Sequence, residues 1–434
     1  MHIYMVSGLA EIEIAGNQSM KNTIKHLSEF GHKISVFSFL PQNYATLQNP
    51  KKIFNSGVEF HRLPAGLSYI LYAGKNIKDT IGRWGRNGEG RSAQREEYNF
   101  LGRVFYIILL FLFYLPFEFA RVSYYFYKKK PDIFYGLNYQ GALVASLLAR
   151  IYRKPVVTRF YGASDIKERE LLTLKNRFLC LDIICGMKSY SNAVIMTNDG
   201  TRGDKKLKLM GIDESKIHFW MNGLDIDDLV LPAGWEPDKF KEGRGLKGKK
   251  IIIMISRLSK WKKVDRGINC VHKLIKAFKM NDVALIIIGE GPEMESLKKL
   301  TERLGIKNEV RFIGGVPHRE VYKYFTISNI FMTLYDISNL GNQLLEAMYF
   351  GLPIVTLDDG STEDLLKNNY NSLLVKTDDI ESELPLNVKK LLDNELWSRE
   401  IGRNAKKTFE EKVISWKERM RLEDALIRKV ADSQ

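Results

Sequence analysis

The span 251–375 constrains this chain most. Short all-apolar segments alternate there with amphipathic stretches of helical period, and a polar or glycine-bearing turn closes each apolar segment. Residues 251–255 end in Ser256-Arg257, 285–288 in Gly289-Glu290-Gly291-Pro292, and 310–313 in Gly314-Gly315. Residues 330–334 lead through Ser338-Asn339-Leu340-Gly341-Asn342 into a helix that holds Glu346. Strands apolar on both faces belong to a parallel sheet covered by helices. In such open α/β sheets ligands bind beyond the carboxyl ends of the strands, so these turns are expected to line one crevice.

At 434 residues the chain suits two domains of about 200 residues each. The first, 1–230, opens strand–turn–helix–strand, with strands expected at 3–6, 34–39, 133–135, 155–159 and 194–197. Gly31 suits the left-handed position that ends a helix. Residues 72–98, rich in Gly, Arg, Asn and Glu, read as a mobile loop. The stretch 231–250, with Pro232 and Pro237, reads as the interdomain linker. The second domain fills 251–412, and a last helix in 413–434 is expected to pack back on the first.

Net charge is +15, roughly two thirds of it before residue 230 by residue count. A basic chain faces nucleic acid, anionic membrane or phosphorylated substrate. No helix-turn-helix, zinc or RNA-recognition signature supports the first. Cys180, Cys185 and Cys270 lack metal spacing and cannot form an even disulfide set, which favours a reducing compartment. The N-terminus lacks a basic stretch followed by an apolar run, so a cytoplasmic protein is expected. Residues 104–117 form an aromatic and aliphatic run, closed by Pro116 and Glu118 and followed by Lys128-Lys129-Lys130. A spanning helix needs about 20 apolar residues, so the run reads as an interfacial helix or a buried core helix rather than a span. The interfacial reading makes 104–130 a peripheral contact with anionic membrane.

Arg257 ends an apolar strand, and Lys262 and Lys263 follow in the next loop. Cations so placed can neutralise a diphosphate from two sides and stabilise it as a leaving group. Glu346 lies one turn into a helix starting near Gly341, where free backbone N–H groups suit phosphate or sugar hydroxyls. A carboxylate there can accept two ribose hydroxyls. Its neighbours Leu344, Leu345, Ala347 and Met348 argue for a buried setting. The turn at Gly289–Gly291 lets backbone pass close to a ligand. The seven histidines show no metal spacing, and no P-loop or Gly-x-Ser-x-Gly elbow occurs. Asp225-Ile226-Asp227 follows a turn rather than a strand, so no required metal is expected.

These residues resemble a family. The stretches "ISRLSKWKKVD", "IIIGEGPEMESLKKLTERLGI", "VRFIGGVPHREV", "LLEAMYFGLPIV" and "NSLLV" are similar, in order and spacing, to the retaining family-4 (group 1) glycosyltransferases. The first half is compatible through "KPDIFYG", "KPVVTRFYGASD" and "GIDESKIHFWMNGLD". The resemblance implies the GT-B fold, two Rossmann-like doubly wound α/β domains facing across a cleft. It also implies a nucleotide-diphosphate sugar as donor substrate with no cofactor required. The acceptor would be a glycan or lipid-linked hydroxyl, with the protein cytoplasmic or peripheral at the inner face of the membrane. Arg257 and Lys262 would hold the diphosphate, and Glu346 the ribose. Gly341, Asn342, Gln343 and Leu344 would hold phosphate or donor sugar by their backbone. Gly291 would line the donor site, Ile313 would read the base, and Gly16 would sit near the donor phosphate or acceptor. The family's first paired glutamate is here Ser338, so its sugar contact falls to Asp336 or Asn339. Tyr161 stands where many relatives carry a histidine. These two departures keep a catalytically impaired, nucleotide-sugar-binding partner subunit open as an alternative, beside a GT-B epimerase or phosphorylase.

Overall fold

The computed structural model describes residues 1–7, 18–41, 57–63, 102–163, 174–226 and 229–433. Gly16, Asp227 and the expected loop at 72–98 lie outside them. The chain divides into two units: Met1–Asn198 with Arg202–Asn222 and Lys417–Gln434, and Gly223–Trp416 with Asp199–Thr201.

The first unit is built on β1 (His2–Ser7), β2 (Lys33–Pro41), β3 (Val58–Leu63), β4 (Ile133–Leu137), β5 (Val156–Phe160), β6 (Ala193–Asn198) and β7 (Ile217–Met221). They form one sheet in the order β3-β2-β1-β4-β5-β6-β7, every pair parallel. Strands β1, β4, β5 and β6 are buried throughout, as their mainly apolar residues lead one to expect, and the buried Arg159 of β5 is paired. The edge strands β3 and β7 escape sequence reading. Val58–Leu63 and Ile217–Met221 mix polar and aromatic residues, as edge positions that are covered on fewer sides permit.

A buried ionic knot ties this unit's C-terminal helix to its sheet. Glu423, from the helix Trp416–Asp432, lies 3.0 Å from Arg159 Nη1 on β5 and 3.0 Å from Arg419 Nη1, and accepts from the Tyr135 hydroxyl on β4. Both guanidiniums and the carboxylate are fully buried. Burial opposes the charge on Glu423, and the two guanidiniums outweigh it, holding the carboxyl below its ordinary range.

The apolar run at 104–117 belongs to a longer element, a continuous helix over Gly102–Lys128. Pro116 and Glu118, which close the apolar run in the sequence, lie inside this helix. The turn Leu110–Tyr114 is a π-helix in which the Leu115 N–H donates to the Leu110 carbonyl, shifting the bonding register just ahead of the proline, which has no N–H to place. Glu118 continues the helix buried because Arg121 pairs with it, Nε to Oε2 at 2.7 Å, while donating to the His61 carbonyl at 3.0 Å. One face (Ile107, Leu110, Tyr114, Val122, Phe126) is buried, and Phe105, Ile108, Leu112 and Phe113 face outward. By length and composition alone the helix suffices to cross a membrane.

The second unit repeats the plan with β8 (Lys250–Ile255), β9 (Val283–Ile288), β10 (Val310–Gly314), β11 (Ile330–Thr333), β12 (Ile354–Leu357) and β13 (Leu373–Val375). The order is β10-β9-β8-β11-β12-β13, again all parallel. Its core gathers the inward faces of these strands with Ile268, Val271 and Leu274 of the helix Val264–Lys276. The stretch 231–250, expected as a linker, is structured within this unit. Its helix Pro237–Gly243 sets Phe240 against Tyr324, and Trp235 Nε1 donates to Thr326 Oγ1 at 3.1 Å.

Candidate active site

Connections from β8 run to one side of the second sheet through β9 and β10, and from β11 to the other through β12 and β13. The order therefore reverses between the adjacent strands β8 and β11, and the carboxyl ends of those two strands flank the topological switch point where doubly wound sheets bind ligands. Arg257 leaves the end of β8, and the segment Asp336–Gly341 leaves the end of β11.

Leu258 is buried under the first of these turns while Arg257 beside it is exposed, with no ion pair or hydrogen bond to its side chain among the described residues. A 3-10 turn, Lys260–Lys262, follows, and Lys263 takes φ 47° before the helix Val264–Lys276 starts. Lys262 is not in open solvent. Its Nζ lies 3.9 Å from the centroid of the Trp261 ring and 3.6 Å from that of Tyr335. The Tyr335 hydroxyl donates to the Ile255 carbonyl at 2.9 Å, which fixes that ring at the end of β8. Burial pushes the Lys262 pKa down to about 8, whereas the two ring faces favour the ammonium form.

The loop after β11 is held by its own side chains. Asp336 pairs with Arg266 at 2.8 Å and Lys263 at 3.5 Å. Asn339 is buried and has no polar capacity left. Its Oδ1 accepts from Tyr335 N at 2.8 Å and Thr333 Oγ1 at 3.1 Å, and its Nδ2 donates to the Tyr335 carbonyl at 3.2 Å and Asp359 Oδ2 at 3.0 Å. Ser338 donates to the carbonyl of Asp199, which groups with this unit, and accepts from Leu340 N at 3.3 Å. So the side chains expected near the donor sugar are engaged inside the loop. Gly341 then caps the helix Asn342–Tyr349, with Leu344 buried behind its half-buried first turn of Asn342 and Gln343.

Glu346 sits deep in that helix, its side chain 1% exposed, and its Oε1 lies 2.7 Å from His318 Nε2. Sequence reading noted His318 only as one of seven scattered histidines. The available signal was its i, i+4 spacing from Tyr322 at a helix start. The Trp261–Tyr335 pair around Lys262 was likewise missed, though each aromatic lies within a few residues of a strand end already singled out.

At Gly291 the chain packs against the turn after β8. A Cβ there would run into the backbone of Leu258, its carbonyl carbon 2.6 Å away. The glycine turn lies close to the Arg257 turn. Leu258 N donates to the Glu290 carbonyl at 2.8 Å, and Glu293 N to the Leu258 carbonyl at 3.0 Å. At Ile313 the β10–β9 register shifts between Phe312 and Gly314, so the ladder skips this residue's backbone. In the first unit, Tyr161 follows β5 with its ring 5.0 Å from the Arg159 guanidinium carbon, and burial pushes its pKa up to about 12. No cluster of three or more His, Cys, Asp or Glu side chains occurs among the described residues.

Comparison with known proteins agrees with this geometry. Residues 236–408 match the family "Glycosyl transferases group 1". An uncharacterized glycosyltransferase of Methanocaldococcus jannaschii is 29% identical over 207 residues, 48% of this chain and 51% of that protein. The GDP-mannose-dependent alpha-(1-6)-phosphatidylinositol monomannoside mannosyltransferase of Mycolicibacterium smegmatis is 26% identical over 169 residues, 35% of this chain and 44% of the relative. The chain thus spans about half the length of these curated relatives. Among solved structures, Anabaena HepE in complex with UDP is similar over 98% of both chains, with a TM-score of 0.70 at 16% identity, and that likeness shows the fold. The fold is GT-B, and residues 236–408 are similar to the group 1 glycosyl transferases.

Proposed function

We propose that this protein is a retaining glycosyltransferase that moves a sugar, of hexose type, from a nucleotide-diphosphate sugar to a hydroxyl of a glycolipid or surface-polysaccharide intermediate. One observation carries the reading. An exposed, unpaired Arg257 and a desolvated Lys262 follow β8 at the switch point, where the helix starting at Asn342 follows the neighbouring strand. Fixed cations and a helix start suit a diphosphate. In the reaction the bond between the sugar's anomeric carbon and the phosphate oxygen breaks, and the diphosphate leaves with the electron pair. Arg257 and Lys262 stabilise that developing charge. The acceptor oxygen bonds to the anomeric carbon on the same face, and its proton passes to the departing phosphate oxygen. Glu346 receives ribose, the backbone of Gly341–Leu344 receives phosphate or sugar, and the backbone near Ile313 faces the base. The HepE complex with UDP and the GDP-mannose dependence of the mycobacterial relative support a nucleotide-sugar donor and leave the base open.

The acceptor side is supported by the relative that acts on a phosphatidylinositol mannoside and by the helix Gly102–Lys128. Its outward Phe105, Ile108, Leu112 and Phe113, with Lys128–Lys130 at its end, suit peripheral contact with an anionic membrane, at the inner face in a cytoplasmic protein. Replacing exposed Leu112 and Phe113 by Asp is expected to release the protein from anionic vesicles without unfolding it. Retained vesicle binding overturns this contact.

A second reading, a partner subunit that binds nucleotide sugar without turnover, gains from the engagement of Asp336, Ser338 and Asn339 within their loop. Thermal unfolding with UDP-, GDP-, ADP- and dTDP-sugars, followed by product analysis with glycolipid acceptors, separates the two. Saturating donor at 100 times its Kd adds about 2.7 kcal/mol. Stabilisation with transfer supports the enzyme, stabilisation without transfer supports the subunit, and stabilisation by none of the four removes both.

A further inference from the structure

Glu346 is a carboxylate in surroundings that ordinarily exclude one. Leu344, Leu345, Ala347 and Met348 around it are buried, and a buried carboxylate stays ionised only with hydrogen-bond donors. Among the described residues one donor reaches it, His318, at the first position of the helix His318–Ile327, with Nε2 2.7 Å from Oε1. No hydrogen bond to Oε2 occurs among them. The imidazole is itself held. The hydroxyl of Tyr322, one turn further along, lies 2.9 Å from Nδ1 and 3.3 Å from Nε2. An ionised carboxylate can only accept, so Nε2 carries the proton. A neutral ring in that tautomer accepts from the phenol at Nδ1. Tyr322 is fully buried and its ring stacks on Phe350 at 5.8 Å, so the chain of contacts is anchored in the core. The imidazole, by contrast, is 48% exposed and lies at the mouth of the carboxylate.

We propose that His318, fixed by Tyr322, is a positioning residue of the donor site: it holds Oε1 of Glu346 and leaves Oε2 to accept from a single ribose hydroxyl. The proposal rests on the nucleotide-sugar reading above and sharpens it. The sequence alone allowed Glu346 to accept both ribose hydroxyls, one on each oxygen. With His318 on one oxygen, the carboxylate distinguishes the two hydroxyls instead. Holding the carboxylate in one rotamer also removes a cost that a free side chain would meet on binding.

The test is calorimetric binding of UDP, GDP and ADP to the full chain. The nucleotide that binds is then compared with its 2′-deoxy and 3′-deoxy forms, in wild type, His318→Ala, His318→Gln and Tyr322→Phe. In wild type one deoxy form is expected to bind about 10-fold more weakly than the ribonucleotide, and the other within 3-fold of it. His318→Ala should weaken the ribonucleotide about 10-fold and shrink the deoxy discrimination below 3-fold. His318→Gln, which keeps a donor for Oε1, should restore most of both. The discrimination ratio is a readout that simple loss of packing does not move. Should His318→Ala fail to fold, Tyr322→Phe keeps the imidazole and releases its anchor, and a partial loss of discrimination is expected. Wild-type binding with unchanged affinity and discrimination in His318→Ala overturns this proposal and leaves the donor reading standing. So does equal sensitivity of wild type to both deoxy forms. Wild type that binds none of the three nucleotides overturns the donor reading and this proposal with it.

Discussion

Lys262 allows a proton count that tests its place against a diphosphate. Burial lowers its pKa to about 8, and the rings of Trp261 and Tyr335, 3.9 and 3.6 Å from Nζ, pull it upward. Each ring face is worth about 0.5–2 kcal/mol to the ammonium. A bound diphosphate favours the charged form further, so the pKa in the complex lies above that in the free protein. At pH 8 the free lysine is therefore partly deprotonated and the bound one is not. Binding should take up about 0.2–0.5 proton. The nucleotide adds little, since a terminal phosphate with a second pKa near 6 is already ionised at pH 8. Affinity should be flat below about pH 7 and fall as pH rises through 8 toward the bound-state pKa. Isothermal titration of a nucleoside diphosphate at pH 8, in buffers of different ionisation enthalpy, reads the uptake directly. Lys262→Arg stays protonated throughout and should show none. Uptake below about 0.1 proton in wild type, or equal uptake in Lys262→Arg, refutes the reasoning.

The same shift has a stability consequence of opposite use. The folded pKa lies below the ordinary lysine value of 10.5, so the unfolded chain binds more protons between about pH 8 and 10.5, and stability rises with pH across that window. Below pH 8 the desolvated charge costs the fold about 1–3 kcal/mol once the ring contacts are counted. Lys262→Met should therefore unfold at a higher temperature at pH 7 while binding diphosphate more weakly, the exchange expected where a site keeps a destabilising charge for use.

Other substitutions probe the remaining parts. Arg257→Ala should lower turnover by about 10²-fold with unchanged thermal stability, because the side chain is exposed and unpaired among the described residues; near-normal steady-state transfer removes its assignment. Glu423→Gln leaves Arg159 and Arg419 buried without a counter-charge, and denaturant unfolding should show a loss of about 3–5 kcal/mol. A loss under about 1 kcal/mol contradicts the charged knot. Gly291→Ala drives a methyl into the Leu258 backbone and should cost about 1–3 kcal/mol of stability while loosening the Arg257 turn. An unchanged melting temperature would show that the two turns separate freely.

The parts of the fold legible in the sequence were those where burial dictates composition. Strands β1, β4 and β8 are buried nearly end to end, so their residues are apolar without interruption and their turns stand out. Strands β3 and β7, at the two edges of the first sheet, escaped because half-covered strands tolerate His61, Glu59, His218 and Trp220, which blur the pattern. Pro116 misled because a proline usually ends a helix, and only the π-turn before it shows how this one continues. The site divides in the same way. Arg257 and Glu346 are close in sequence to strand or helix ends and could be read from position. The Glu346–His318 and Lys262–Tyr335 contacts join segments far apart in the chain, and no local pattern records which side chain meets which.

That division bears on the chemistry. What the sequence marks at the switch point is, on the proposed reading, the means of holding phosphate: Arg257, Lys262 and a helix start. What the structure adds is that the polar side chains between β11 and that helix turn inward. Asp336 goes to Arg266 and Lys263, and Asn339 to the Tyr335 backbone and the Thr333 and Asp359 side chains. Neither of these side chains is free to meet the sugar without breaking bonds that shape the loop. On the proposed reading, specificity for the sugar then falls to backbone N–H groups at Gly341–Leu344, with the fixed carboxylate beyond them left to the ribose. Backbone donors recognise oxygen atoms without regard to which hydroxyl bears them. On the proposed reading, a site so built would hold the nucleotide by charge and the sugar by shape. Widening it at Gln343, whose Oε1 lies 3.0 Å from where a Gly341 side chain would begin, is accordingly expected to relax sugar choice before it weakens the nucleotide. Comparing kcat/KM for two nucleotide sugars of one base in Gln343→Ala checks this. A loss of nucleotide affinity at unchanged sugar ratio would place the selection elsewhere.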